Sequence, residues 1–454
     1  MGGTQMSIKK TVAIATAAGA LAAISVPAMA LENEFHGMYK FMAYESNFFE
    51  GTTLNPQQAG ALLRKDSKSG FLAEQRARLQ YTAKANADLK LVTHFELDTR
   101  FGGKDTTKGY LGTASGNDAG NIDADQLTLE TKSLYVDFNC PLTGANVKVG
   151  LQPWADAYQS LFLLADMTGV SASKKFGPAT ASLGWFRYDD NTQTDTTNIA
   201  TFTGAARKSA NLFVADGKFA LNKDMSVGAS YYYIQNDMGA GQVTSGVANT
   251  ALFNYESLNM FGLNADLTFG PANVKPFAAF QFGDINSNNN MKGMLLGAVT
   301  KTKIASGAVN LSAVYMSGDD KAGQEKSFRT VGPNYTYFNA ANMWLLIRNG
   351  QAINSSTSVL GNDMTVNGAG MLGVFGGYEA TMGKLFYNAN IGYAQSEKGT
   401  KKGIGTELNA QVGYKLFDNL SASGAVAYCI LGDKADASKA DDPYALNLQL
   451  SYTF

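Results

Sequence analysis

Residues 444–454, the end of the chain, alternate without a break. Tyr444, Leu446, Leu448, Leu450, Tyr452 and Phe454 are apolar or aromatic, and Ala445, Asn447, Gln449, Ser451 and Thr453 between them are small or polar. Successive side chains of a strand point to opposite faces, so this segment is a ribbon with one apolar and one polar side. The pattern recurs along the chain. Over 71–84, Phe71, Ala73, Ala77, Leu79 and Tyr81 oppose Leu72, Glu74, Arg76, Arg78, Gln80 and Thr82. Over 89–101, Leu89, Leu91, Phe95, Leu97 and Phe101 oppose Lys90, His94, Glu96, Asp98 and Arg100. Segments 259–269, 274–282, 404–416 and 420–430 continue it. A chain of such ribbons folds as sheet, and each apolar face must meet a core or hydrocarbon.

The N-terminus has a different logic. Lys9 and Lys10 precede an apolar, Ala-rich run from Thr11 to Val26, then Pro27 and Ala28, Met29 and Ala30. This is the order of a secretory signal with a small-x-small cleavage site. We expect 1–30 to be a cleaved signal peptide and 31–454 to be the mature domain.

Later apolar runs are all interrupted by polar residues, and the mean hydropathy is −0.14, so helices do not carry this chain across a bilayer. A transmembrane β-barrel needs only alternate residues facing lipid and tolerates that value. The 48 glycines, 21 tyrosines and 26 phenylalanines against 9 prolines suit strands and interfacial girdles. A formal net charge of −1 argues against a nucleic-acid partner. Cys140 is placed in a short turn and Cys429 at the far end of a late strand, so a disulfide is not expected.

The connections alternate in length. Short turns fall near 85–88, 140–145, 177–178, 222–224, 270–273, 302–304, 382–384 and 417–419. Polar loops fall near 46–70, 102–126, 153–168, 190–207, 237–256, 284–291, 318–365, 397–402 and 433–442. Short periplasmic turns and long external loops are the asymmetry of outer-membrane barrels. The reading is an all-β antiparallel transmembrane barrel of about 18 strands, with about 16 as the alternative if one hairpin near 168–176 or 291–303 is lost. Such a barrel is wide enough for an aqueous channel.

With its aromatic C-terminus and a strand pattern that begins at Phe35, the chain resembles the Gram-negative outer-membrane porin family. The segment from Val147 through Gly150, Leu151 and Gln152 to Pro153 is similar to the Gly-Arg-Gln-like end of the fifth strand of general porins, with Leu151 where those carry Arg. The opening from Leu31 to Gly37 is also similar to OmpJ-like porins of metal-reducing bacteria. The resemblance implies that the third loop, 153–168 with Trp154, Asp156, Tyr158 and Asp166, folds into the lumen. It implies that Asp156 and Asp166 there face a basic ladder of Arg76, Arg78, Lys90 and Arg100. Glu74, Glu96 and Asp98 lie among these bases, so a lumen of solvated charges without special arrangement stays open. A homotrimer, contact with lipid and lipopolysaccharide, and location in the outer membrane are further implications.

The loop 318–365 is the longest and holds Asp319, Asp320, Arg329, Tyr335, Tyr337, Phe338, Trp344 and Arg348. Loops of this length are uncommon unless functional or mobile. We read it as a surface loop, with a second constriction as the alternative and a short helix over 338–349. The acids Asp118, Asp123, Asp125, Asp433, Asp436, Asp441 and Asp442 do not have calcium-loop spacing and are read as solvated.

The function expected is a passive pore for ions and small hydrophilic solutes, without cofactor or metal. The alternatives are a channel selective for a sugar or organic anion, gated by 318–365, and a barrel sheath around an electron-transfer partner. An enzyme is not expected: His36 and His94 are the only histidines, and His94 sits at mid-wall.

Overall fold

The computed structural model describes residues 31–48, 63, 65–102, 129–190, 209–237, 255–321, 323–332, 335–347, 358–361, 363–434 and 440–454. The strands are β1 (Glu32–Ser46), β2 (Gly70–Asn86), β3 (Leu89–Arg100), β4 (Glu130–Asn139), β5 (Asn146–Ala155), β6 (Leu164–Phe176), β7 (Ala179–Asp190), β8 (Ser209–Ala220) and β9 (Met225–Asn236). They continue as β10 (Ser257–Phe269), β11 (Ala272–Asn286), β12 (Asn289–Ile304), β13 (Gly307–Met316), β14 (Met371–Met382), β15 (Leu385–Ser396), β16 (Gly403–Phe417), β17 (Leu420–Leu431) and β18 (Tyr444–Thr453). Each pairs antiparallel with its neighbours in sequence, and β1 also pairs with β18, which closes an 18-stranded barrel. The strand count of 18 holds, and the two doubtful hairpins are present as β6 and β12.

Alternation sorts residues between the two faces of the wall. Phe71, Leu183, Leu263, Leu311, Val374, Val412 and Leu448 are among the exposed apolar side chains of the outer face. An apolar outer belt of this kind suits hydrocarbon. Tyr393, Tyr428 and Tyr444 stand on it near the long-loop end, and Tyr387, Tyr414 and Tyr452 near the short-turn end, which are girdle positions.

The connections keep their expected alternation, with one correction. The loop expected at 284–291 is a tight turn at Ser287 and Asn288, because β11 and β12 extend to meet there. Asn286 Oδ1 accepts the N–H groups of Asn288 and Asn289 and so closes the turn locally. The expectations for 1–30, 103–126, 191–207 and 238–254, with Asp118, Asp123, Asp125, Arg348 and Asp436, lie outside the described residues.

The seam is fixed where the chain ends. Gly37 N–H donates to Phe454 O at 2.9 Å and Phe454 N–H donates to Gly37 O at 3.0 Å. The Phe454 ring lies over Gly37, where a Cβ would come within 2.3 Å of the ring and 2.8 Å of the Arg78 carbonyl oxygen. Gly37→Leu is therefore expected to force the last residue off the seam and to destabilise the barrel by about 1–3 kcal/mol. Urea unfolding in lipid vesicles measures it, and an unchanged midpoint would show that the seam does not need the glycine.

Candidate pore constriction

The inner faces of β2 and β3 carry most of the charges expected to line the pore. Residues directly opposite on one face of an antiparallel pair lie close enough for their side chains to meet. Arg76 is opposite Asp98, and Arg78 opposite Glu96. Arg76 Nε donates to Asp98 Oδ1 at 2.7 Å, its Nη2 lies 3.4 Å from Glu96 Oε1, and Arg78 pairs with Glu96. Lys90 pairs with Asp137 of β4 at 3.4 Å. Glu74 is fully buried, accepts the Tyr44 hydroxyl at 2.5 Å and stands opposite Arg100. The bases are thus matched sideways within the wall, to acids one strand away. The expected acids across the lumen are not their partners.

The third loop is shorter than expected, Asp156–Leu163, since β5 and β6 extend on either side. It folds inward, and Tyr158, Leu161, Phe162 and Leu163 are fully buried. Gly262 of β10 makes room: a Cβ there would sit 2.1 Å from the Tyr158 hydroxyl. Asp156 does not face the pore. Its Oδ1 accepts the N–H groups of Tyr158 and Ser160 at 2.7 and 2.9 Å, and its Oδ2 those of Phe162 and Leu163 at 2.7 Å each. A tight inward loop leaves N–H groups without strand partners, and this carboxylate satisfies four of them. Burial pushes the Asp156 carboxyl up to about 6 while the four donors pull it down. Asp166 belongs to β6, in register with Pro153 and on the same face as the exposed Thr168 and Val170. That is the outer face, where it pairs with Lys132 at 2.8 Å. Of the two acids expected across from the ladder, neither is there.

The loop between β13 and β14, read as a surface loop, instead crosses the lumen. Gln281 of β11 holds the Arg329 backbone in both directions, donating to its carbonyl at 2.6 Å and accepting its N–H at 2.8 Å. Ser312 of β13 donates to Ala340 O at 3.2 Å. Trp344 N–H donates to Glu407 Oε1 at 2.7 Å, and the N–H groups of Leu345 and Leu346 donate to Glu407 Oε2 at 2.9 and 2.7 Å. Asn409, beside it on β16, donates to Asn342 O at 3.0 Å. Trp344 then packs against Met42 and Tyr44 of β1. Over the described part of the stretch expected as a helix, 338–347, there is a 3-10 turn, Asn339–Ala341. Within the same loop, Asp319 is raised by burial but held below its usual range by the N–H groups and charges of Lys321 and Lys326.

The two inward loops join through Tyr337 N–H to Ser160 O at 2.9 Å and through an edge contact of Phe162 with Phe328. Together with Tyr232, Met260, Phe277, Leu295 and Phe375 of the wall they form an apolar core inside the barrel. Each such side chain fully buried is worth roughly 1.5–3 kcal/mol. The inner faces of β1 to β4 carry Lys40, Arg76, Arg78 and Arg100 beside Glu74, Glu96, Asp98 and Glu130.

Gln281, Glu407 and Asn409 escaped the sequence reading. The one available signal was a lone acid, Glu407, on the polar face of an otherwise uncharged stretch of β16 from Ile404 to Tyr414. The acids considered for calcium brace loops instead: Asp433 accepts the N–H groups of Lys402 and Gly403, Asp441 that of Ser67, and Asp442 that of Leu431. Among the described residues no three His, Cys, Asp or Glu side chains are grouped to hold a metal. Cys140 and Cys429 are both free thiols.

No protein-family model and no curated protein matches this chain. Solved structures do. Pseudomonas aeruginosa OccK9 (OpdG) aligns over 93% of this chain and 98% of its own, at 12% identity and a TM-score of 0.54. The P. aeruginosa outer membrane protein OpdK aligns over 93% and 98%, at 9% identity and 0.53. Acinetobacter baumannii OccAB1 aligns over 93% and 96%, at 11% and 0.53. The chain shares their fold. At such identities the likeness speaks for the 18-stranded architecture, and the constriction has to be argued from the residues above.

Glu407→Ala would leave three backbone N–H groups without their acceptor, at a cost of about 1–3 kcal/mol for each one that stays buried. Limited proteolysis of the folded barrel is expected to open new cuts in 335–347, with Glu407→Gln intermediate. Unchanged cleavage would mean that the loop holds without this clamp.

Proposed function

We propose that this chain is an outer-membrane channel whose lumen is narrowed by two inward loops to a passage for ions and small hydrophilic solutes. The observation that carries the reading is the contact of Trp344 with Met42 and Tyr44, which brings a loop anchored on β16 to the inner face of β1. An aqueous path bounded on one side by charges and on the other by an apolar core would select by size first. On this reading the short-turn end faces the periplasm, and the mature protein starts at Leu31 after loss of the leader.

Planar-bilayer recordings test it. Ohmic steps of stable size are expected from the folded protein, and Trp344→Ala should raise the conductance severalfold. Sealed bilayers containing verified folded barrels would refute the open channel. The balanced wall at the level of β2 and β3 adds little ion preference of its own to the reversal potential across a salt gradient. Arg76→Gln with Arg78→Gln leaves Glu96 and Asp98 unmatched, so the potential should move toward cation preference. An unchanged potential would show that these arginines do not face the passage.

A selective channel is the second reading. It is favoured by the fold shared with OpdK, which has also been solved with vanillate, an aromatic carboxylate. Competition by vanillate or a simple sugar for the ionic current separates selective passage from general diffusion. The apolar core in the lumen weighs against a sheath around a protein partner.

A further inference from the structure

The short-turn mouth of the lumen has a different charge from the passage above it. Lys84, Lys90, Lys148, Lys175, Lys218, Lys275, Lys301, Lys303 and Lys415 all lie within the last four residues of their strands at that end. Each occupies an inward position, because its neighbours in sequence belong to the outer face: Val149 beside Lys148, Phe176 beside Lys175, Phe219 beside Lys218, Ile304 beside Lys303 and Leu416 beside Lys415 are exposed apolar residues. At a rise of about 3.3 Å per residue they form one belt about 13 Å deep.

Carboxylates on this belt are fewer, and each is already engaged. Glu32 and Glu34 share Lys84, Asp137 holds Lys90, Asp266 holds Lys275, and Glu379 holds Lys301. Lys148, Lys175, Lys218, Lys303 and Lys415 have no carboxylate in ion-pair contact among the described residues. Lys148 lies 5.5 Å from the centre of the Tyr135 ring and stands opposite Asp137 in register, but that carboxylate makes its ion pair with Lys90. The turns below are nearer balance, with Asp88, Asp224 and Asp418 against Lys223 and Lys384. One layer deeper lies Asp216, alone. The unmatched lysines are densest along β5 to β8. Thr180 of β7 is paired with Lys175 on one side and Lys218 on the other, which puts those backbones about 10 Å apart. Two flexible lysine stems can reach one ligand across that gap.

We propose that this mouth is a binding collar for small multivalent anions, with Lys148, Lys175 and Lys218 as its strongest arc. Unmatched ammonium groups around a low-dielectric rim focus a positive potential into the opening. A monovalent anion gains one interaction there, whereas a multivalent one gains several. The collar would concentrate such anions at one mouth only, so its effect on current rests on the channel reading, although binding itself does not.

Inorganic pyrophosphate is the probe. In single-channel recordings it should block from the short-turn side at a concentration about tenfold lower, or more, than from the other side. Cys140, a half-buried free thiol in the β4–β5 turn, takes an impermeant maleimide from that side and so reports the orientation of each barrel, Cys429 being buried. Calorimetry on the folded protein in detergent measures binding without conduction. Replacing Lys148, Lys175 and Lys218 together by Gln should weaken binding about tenfold and abolish the asymmetry, while replacing all three by Arg should keep both. Equal block from the two sides, or pyrophosphate affinity unchanged by the Gln replacements, overturns the collar. Binding that behaves as expected in a barrel that does not conduct would uphold the collar and refute the channel. If the Gln variant fails to fold, Lys218→Gln alone carries the calorimetric test, with weaker binding expected and unchanged affinity against the proposal.

Discussion

A closed antiparallel barrel has no free strand edge, and this one closes only because β1 pairs with both β2 and β18. Every inward position is set by that closure. Moving the register by one residue at the seam would turn the inward residues of the shifted strand outward. The pairing of Gly37 with Phe454 fixes the register at the last residue of the chain, where the aromatic ring needs a neighbour without a side chain. The alignment of Arg76 with Asp98 follows from the seam through the regular β18–β1 and β1–β2 pairings to the β2–β3 register.

Closing the wall solves the hydrogen-bonding problem for strands and creates it for loops that enter the lumen. An inward loop has N–H groups with no ladder to join and little water to meet. Here the same answer is used twice. Asp156 gathers four N–H groups of its own loop, and Glu407 gathers three from a loop that is distant in sequence. One carboxylate offers several acceptor sites at once, which makes it a better anchor for a compact turn than an amide or hydroxyl. The buried acids that hold the two inward loops, Asp156 and Glu407, are thus acceptors for backbone N–H groups.

The strands were legible in the sequence, because period-two alternation acts over a few neighbouring residues and needs no knowledge of the partner strand. Alternation also sorted Arg76, Arg78, Lys90, Glu96 and Asp98 correctly onto one face. It could not say what that face meets. Alternation alone suits Arg76 to a loop acid as well as to Asp98, and only the β2–β3 register decides between them. The loop after β13 was misjudged for a related reason: its tyrosines, Phe338 and Trp344 suit a surface exposed to sugars and an apolar core inside a barrel equally well. Their destination depends on Gln281, Ser312, Glu407 and Asn409, single polar residues on three separate strands. β6 begins at Leu164, four residues before the strand expected from 168, which moves Asp166 from a loop to its outer face.

On the channel reading, size and charge are separated along the barrel axis. At the level of β2 and β3 the inner wall is charged but nearly neutral in sum, since lateral pairs close at short range and leave little field across the opening. The apolar core formed by the two loops fills part of the barrel interior without adding charge. Below it the lumen carries lysines in excess over carboxylates. A barrel wall makes this division easy, because each strand contributes one residue to every level and levels are independent in composition. On that reading steric selection changes through loop residues such as Trp344 while the electrostatic character of the mouth stays with strand residues such as Lys218. Only the register, set at the seam, ties the two together.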